Sequence, residues 1–323
     1  MVQYTTSVLI TGGTQGLGYF CAQTIAQQHP QILVVVSSRT DPDRAAATIN
    51  RTLKQSNVKF VSLDLGTREK VRSFVEIWKQ GDYPPIEALV LNAGIQFPGE
   101  TEWGDDGIEK TFAVNHVGHA LLFHLLTPYM QPNARIVLTS SGIHDPAVSK
   151  TFGFNPKWPD VHAIARPDPA FQKELAGRDR YAVSKVANVL WTYALARRLT
   201  AQGQGKTVVA MNPGLMPGTN LGRNAGTIAF FLFVHVLPHF VGLMRLLLGT
   251  KDVHLPKDSG KRLAWLAMDE EARKKTATYY DGITEVASGV NTIDEKRQEE
   301  LWEWTVEFVG KSGEERERFE RLE

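Results

Sequence analysis

VLITGGTQGLGYF, residues 8–20, sets a short apolar run against a glycine-rich loop and then an apolar spacing of helical period. Val8, Leu9 and Ile10 read as a strand buried on both faces. Gly12, Gly16 and Gly18 leave no side chains where the turn tightens, where a pyrophosphate approaches and where helix meets strand. Backbone N–H groups and the helix N-terminus then face the phosphates. A tight βα turn without a ligand would use glycines too. The strand before and the helix after supply the context that a dinucleotide site requires. The candidate contacts in this loop are Gly12, Thr14, Gln15, Gly16, Leu17 and Gly18.

Working outward, strands and helices alternate. Apolar, β-rich runs fall at Ser7–Thr11, Ile32–Ser37, Lys59–Leu63, Ala88–Asn92, Arg135–Ser140 and Thr207–Met211. Helical spacing fills Leu17–Gln28, Arg44–Gln55, Thr67–Lys79, Ile108–Tyr129, Tyr181–Leu199 and Ser259–Met268. Thr278–Tyr280 is a candidate final strand. The pattern predicts an α/β fold: one doubly wound, Rossmann-type domain over residues 1–323 with a central parallel sheet. Its nucleotide-binding part covers about 1–140 and its catalytic and lid part about 141–290. From Asp294, Trp302, Trp304 and Phe308 at helical spacing predict an amphipathic surface helix ending in a charged, frayed tail at 323. Segments 142–180 and 218–257 follow strand ends, the edge where such sheets bind ligands, and form the expected walls and lid of a substrate pocket.

The second strand ends at Ser37-Ser38-Arg39, with no acid there; Asp41 follows only after the arginine. An acidic side chain would suit a ribose 2′-hydroxyl, whereas arginine suits a 2′-phosphate. Ser38 and Arg39 therefore favour NADP(H) over NAD. Asp64-Leu65 and Asn92-Ala93-Gly94 close the third and fourth strands and, on residue type alone, read as turns.

Tyr181 and Lys185, in YAVSK, stand four apart at the start of a predicted helix and share a face. A nearby ammonium is expected to lower the phenol towards working pH from its ordinary value of about 10. Ser141, at the end of the fifth strand, can bond a substrate oxygen. Asn115 is the candidate to hold the lysine or relay its proton.

These elements, in this order, resemble the short-chain dehydrogenase/reductase (SDR) family. The likeness spans about residues 8–220 and includes Asn212-Pro213-Gly214 and Thr219. It implies that Tyr181 exchanges a proton with a carbonyl or alcohol oxygen, that Lys185 tunes it and binds the nicotinamide ribose, that Ser141 positions the substrate oxygen, and that Asn115 supports a water-borne relay. It implies cofactor contacts at Asp64 and Leu65, at Asn92, Ala93 and Gly94 on the adenosine and ribose side, and at Pro213, Gly214 and Thr219 near the nicotinamide. Family members often pair through the helices bearing Asn115 and Tyr181, so a homo-oligomer is one expectation. VNHVGHALL (114–122), SKVAN (184–188), His144-Asp145-Pro146 and DSGKRLAWLAMD (258–269) are similar to the retinol dehydrogenases and protochlorophyllide reductases. Those reductases carry a functional cysteine where this chain has Leu215, so protochlorophyllide reduction is not expected.

The remaining features bound the answer. A net charge of +1 gives no electrostatic argument for nucleic acid. The single cysteine, Cys21, excludes an internal disulfide framework. His116 and His119, and His235 and His239, have helical spacing, but no third ligand is evident and no metal is expected. No basic start and long apolar core mark a secretory leader, so the expected location is cytoplasmic. Residues 228–248 are mostly apolar; they line a pocket for a lipophilic ligand, dip into a membrane surface, or pack as a cap. The function expected is NADPH-dependent interconversion of a carbonyl and an alcohol on a bulky, apolar molecule. The alternatives are a non-catalytic NADP-binding regulator or scaffold, and a carbon–carbon double-bond reductase.

Overall fold

The computed structural model describes residues 4–175, 177–219 and 226–323, without the side chains of 228 and 229. Eight strands form one sheet: β1 (Thr6–Thr11), β2 (Ile32–Ser38), β3 (Val58–Ser62), β4 (Ile86–Leu91), β5 (Met130–Thr139), β6 (Thr207–Asn212), β7 (Thr278–Asp281) and β8 (Thr284–Val286). Their order is β3-β2-β1-β4-β5-β6-β7-β8, parallel except for the last pair. The chain reverses direction across the sheet between β1 and β4. That switch opens a crevice at the carboxyl ends of those strands.

Alternation along each strand divides the core in two. Leu9, Leu33, Val35 and Leu89 join the cluster under α3 (Arg68–Gln80), α4 (110–126) and α5 (Gly177–Ala201). Val8, Ile10, Val34 and Val90 join the cluster under α1 (Gly16–Gln28) and α6 (Pro256–Met268). Helices α1 and α6 touch closely: a Cβ on Gly260 would lie 2.5 Å from Cβ of Phe20. α2 (Ala45–Leu53) covers the β2–β3 edge. α4 is not uniform. It is α-helical over Lys110–Phe112, π-helical over Ala113–Val117 and α-helical again over Gly118–Leu126.

The predicted frayed tail is corrected. α7 (Glu295–Val309) is followed by a further helix, α8 (Gly313–Glu320). Trp302 and Phe319 are fully buried. Phe319 and Leu322 both pack into the main core, which holds the terminus down. The β7–β8 hairpin closes the sheet with a strand that no apolar run announced. α5 begins before Tyr181, placing the tyrosine in the second turn rather than at the helix start. Among the described residues, no helix is long and apolar enough to cross a membrane.

Candidate active site

The glycine loop sits at the switch point. Gly12 and Gly16 have positive φ, 65° and 54°. A Cβ on Gly18 would fall 2.4 Å from the Gly12 carbonyl oxygen and 2.7 Å from Asn92 Nδ2, so only glycine lets α1 start against this loop. The first turn of α1 carries no acid to repel phosphate. Opposite Gly16 lies Thr219, whose Cγ2 would be 3.5 Å from a Cβ there. A Cβ on Gly94 would point at Asn115 Oδ1 (3.6 Å) and Lys185 Nζ (3.7 Å), so the missing side chain keeps the space before the lysine open. This cradle fits a dinucleotide.

The rim is braced by side chains. Thr14 Oγ1 and Ser38 Oγ are 2.9 Å apart, tying the loop to the end of β2. Asn92 Nδ2 donates to the Thr11 carbonyl (2.9 Å), and the amides of Asn92 and Ala93 both donate to Thr11 Oγ1. Leu17 and Leu65, by contrast, send their side chains into the core. Asp64 bonds Lys70 (2.9 Å) and the Gly66 amide. Burial opposes its ionisation, yet Lys70 and the amide hold its carboxyl below the ordinary range. Pro213 accepts from Ser259 Oγ (2.7 Å), and the Gly214 amide donates to Asn212 Oδ1 (3.0 Å).

The catalytic candidates gather at the same edge. Lys185 Nζ lies 5.4 Å from the Tyr181 ring centroid. Ser140 Oγ donates to the Lys185 carbonyl (2.9 Å), pinning the end of β5 to α5, with Ser141 next. The Ser140 hydroxyl is therefore committed to α5. Among the described residues, neither the Tyr181 hydroxyl nor the Ser141 hydroxyl finds a protein partner.

Two expectations change here. Asn115 does not hold the lysine. Its amide accepts from Ile95 N (2.8 Å) and donates to Ile95 O (3.0 Å) and Ser184 Oγ (2.9 Å). Lys185 donates instead to the Thr139 carbonyl (2.9 Å), an acceptor with no side-chain signature. The expected lowering of the phenol is also not seen in the chain alone. Burial pushes Tyr181 up and pulls Lys185 down to about 7, because each charged form loses its water.

Sequence reasoning weighed His119 only as a metal ligand and missed its link to the glycine loop. Thr11 Oγ1 already accepts two amides, so its proton goes to His119 Nε2 at 2.8 Å. Nδ1–H then donates to the Asn115 carbonyl (3.1 Å), inside the π-helical turn. Burial keeps this ring neutral, with its pKa pulled down to about 4. Its partner in spacing, His116, turns away to Thr305 (2.9 Å). Among the described residues, no three His, Cys, Asp or Glu side chains are placed to hold a metal.

A family model described as short chain dehydrogenase matches residues 6–150. Retinol dehydrogenase 14 of Homo sapiens is 28% identical over 320 residues, covering 94% of this chain and 86% of its own. The chloroplastic short-chain dehydrogenase TIC 32 B of Brassica napus is 25% identical over 317 residues, covering 94% and 88%. A short chain dehydrogenase from Burkholderia cenocepacia J2315, solved in complex with NADP, superposes with a TM-score of 0.61 at 22% identity, covering 87% of this chain and 98% of its own. The family match and these relatives support a reading of the chain as a short-chain dehydrogenase/reductase, with similarity to the retinol dehydrogenase-like branch.

Proposed function

We propose that the chain uses NADP(H) to interconvert a carbonyl and an alcohol on a bulky, apolar small molecule, with Tyr181 as general acid and base. The observation that carries this reading is the pair of hydroxyls, Tyr181 and Ser141, without a partner among the described residues, at the carboxyl edge of the sheet with Lys185 beneath the tyrosine ring. When bound, the reduced cofactor supplies the hydride. The glycine loop would hold its pyrophosphate against the N-terminus of α1. Arg39 is exposed at the end of β2, where its guanidinium can reach a 2′-phosphate. Asp41 is occupied elsewhere, accepting from the Ala45 amide at 2.7 Å, which supports NADP(H) over NAD. Ser141 donates a hydrogen bond to the substrate oxygen. Tyr181 gives that oxygen its proton as the alcohol forms. Lys185 stabilises the resulting phenolate, and a proton returning to the phenol closes the cycle.

The lid supports an apolar substrate. Residues 227–248 form short helical segments carrying exposed Phe231, Phe240, Leu243, Leu246 and Leu247. The Gly218 amide donates to the Phe233 carbonyl (2.9 Å), which anchors this lid beside the nicotinamide-side loop. Retinol, named for one relative, is a long apolar alcohol of the size such a wall would suit. The same surface is proposed to rest on a lipid bilayer, from which such a substrate would enter.

The decisive experiment follows NADPH oxidation by the purified chain across bulky aldehydes, ketones, quinones and activated alkenes, beside Tyr181→Phe. Turnover of a carbonyl by the wild type, lost in the variant with NADPH binding intact, is expected. Turnover that survives the substitution would remove Tyr181 from the chemistry. Turnover of alkenes alone would favour double-bond reduction, and tight NADPH binding without turnover would favour the regulatory alternative. Arg39→Ala should weaken NADPH at least tenfold and NADH little; equal effects would overturn the cofactor preference.

A further inference from the structure

The turn that presents Ser141 is held from behind by a residue of no assigned role. His144 is 1% exposed, and both of its ring nitrogens are engaged. Nε2 accepts from the Gly289 amide at 2.9 Å. An N–H donor leaves only the lone pair on that nitrogen, so the ring proton sits on Nδ1. Nδ1–H therefore donates to the Ser141 carbonyl, at 2.7 Å. The ring is a neutral imidazole of fixed tautomer, packed 4.5 Å from the Tyr279 ring. We propose that His144 is the positioning residue of the catalytic serine, a latch that fixes the Ser141 turn to residues 288–292.

The far side of the latch is rigid. A Cβ on Gly289 would lie 2.7 Å from Cα of Asp145, so the two backbones are in direct contact. Asn291 Nδ2 donates to the His144 carbonyl at 3.0 Å, adding a second tie across the same gap. Thr292 Oγ1 donates to the Gly289 carbonyl (2.7 Å) and lies 2.8 Å from Ser288 Oγ. Ser288 is in turn held by Tyr193 of α5, and Thr292 by Gln298 of α7. Ser141 is thus referenced to the helix that bears Tyr181 and Lys185 by two routes. One runs through Ser140 and the Lys185 carbonyl; the other runs through His144, Ser288 and Tyr193. Because Ser141 must meet the substrate oxygen together with Tyr181, a displacement of even ~1 Å would cost a large part of the rate.

The proposal rests on the oxidoreductase reading for its kinetic arm only. His144→Ala should lower kcat at least tenfold while leaving the NADPH dissociation constant within twofold. His144→Asn places an amide N–H where Nδ1–H stood and should recover most of kcat. His144→Gln places an acceptor near the Gly289 amide without the donor to Ser141 and should not. Both amides fill the pocket better than alanine, so they keep the comparison informative if the alanine variant folds poorly. An unchanged kcat in His144→Ala, or equal rescue by Asn and Gln, would overturn the assignment. Two readouts need no turnover. Nitrogen-15 spectra of the full chain should show a neutral Nδ1–H imidazole for His144, and amide exchange in the His144→Ala and His144→Gln variants should rise at 140–145 and 287–292 while staying unchanged in α1. An Nε2–H tautomer or unaltered exchange would sink the latch even if the wild type proved inactive. A latch confirmed in an inactive wild type would instead count against the function proposed above.

Discussion

Gly18 shows how much a single missing atom decides. Its Cβ would meet both the Gly12 carbonyl and Asn92 Nδ2, the group that fastens the end of β4 to the loop. Gly18→Ala should therefore lower the melting temperature and weaken NADPH at least tenfold. Gly99→Ala is the control, because a Cβ there meets nothing within 4 Å. Fluorescence titration and thermal unfolding check both, and equal behaviour of the two variants would mean that the close approach is not what makes Gly18 necessary. Glycine at a helix start can be read from sequence because the constraint falls on the residue itself. The lysine's partner cannot be read that way. Thr139 accepts from Lys185 through its backbone carbonyl, which every residue possesses. That Asn115 does not hold the lysine is hidden for a related reason. Residue type announces an amide, but three short bonds to Ile95 and Ser184 decide what it does.

Elements were legible where burial imposes a period. The strands β1, β2 and β4 to β6 are apolar on both faces because helices cover both, and a run of that kind is hard to mistake. The π-helical turn at Ala113–Val117 left no such trace, since one extra residue per turn barely disturbs an apolar pattern. His119 marks it in retrospect, by capping the Asn115 carbonyl. The lid is the other element that periodicity described poorly. Leu246 and Leu247 are 78% and 74% exposed, and the sequence from 226 to 251 contains no Asp or Glu. A surface that is apolar and free of acids suits an anionic bilayer. The chain should co-sediment with phosphatidylserine-containing vesicles, and a Leu246→Asp, Leu247→Asp double variant should lose most of that binding. Since both side chains face solvent, its melting temperature should stay put. Undiminished binding would assign the membrane contact elsewhere.

At the scale of the whole molecule, the C-terminal pair of helices seals the outer face of α4 and α5. Trp302 stacks on Trp191 at 6.2 Å and Phe319 stacks on His124 at 4.7 Å. These helices cover the surface that the family resemblance offers for pairing, so sedimentation should find a monomer at micromolar concentration; a stable dimer would show that another face is used. The same seal buries two histidines of α4, His116 and His124, while His119 is buried on the other side against Thr11 of β1. Burial pulls His116 and His124 down to about 3 and His119 to about 4. In the unfolded chain each returns to about 6.5. The unfolded state therefore binds more protons below pH 6.5, and stability should fall progressively from there towards pH 4. His124 isolates the effect, because neither of its ring nitrogens has a partner among the described residues. Arg198 nearby adds to the lowering and Glu315 opposes it. His124→Phe keeps the stack on Phe319 while removing two unsatisfied nitrogens, which should raise stability by about 1 kcal/mol at pH 7.5. At pH 5 the gain should be larger, because the variant no longer loses the free energy of one proton taken up on unfolding. Urea unfolding of both proteins at the two pH values measures the difference directly. A gain independent of pH would mean that the ring titrates as freely in the folded chain as in the unfolded one, and that the C-terminal helices do not shut water out of this face.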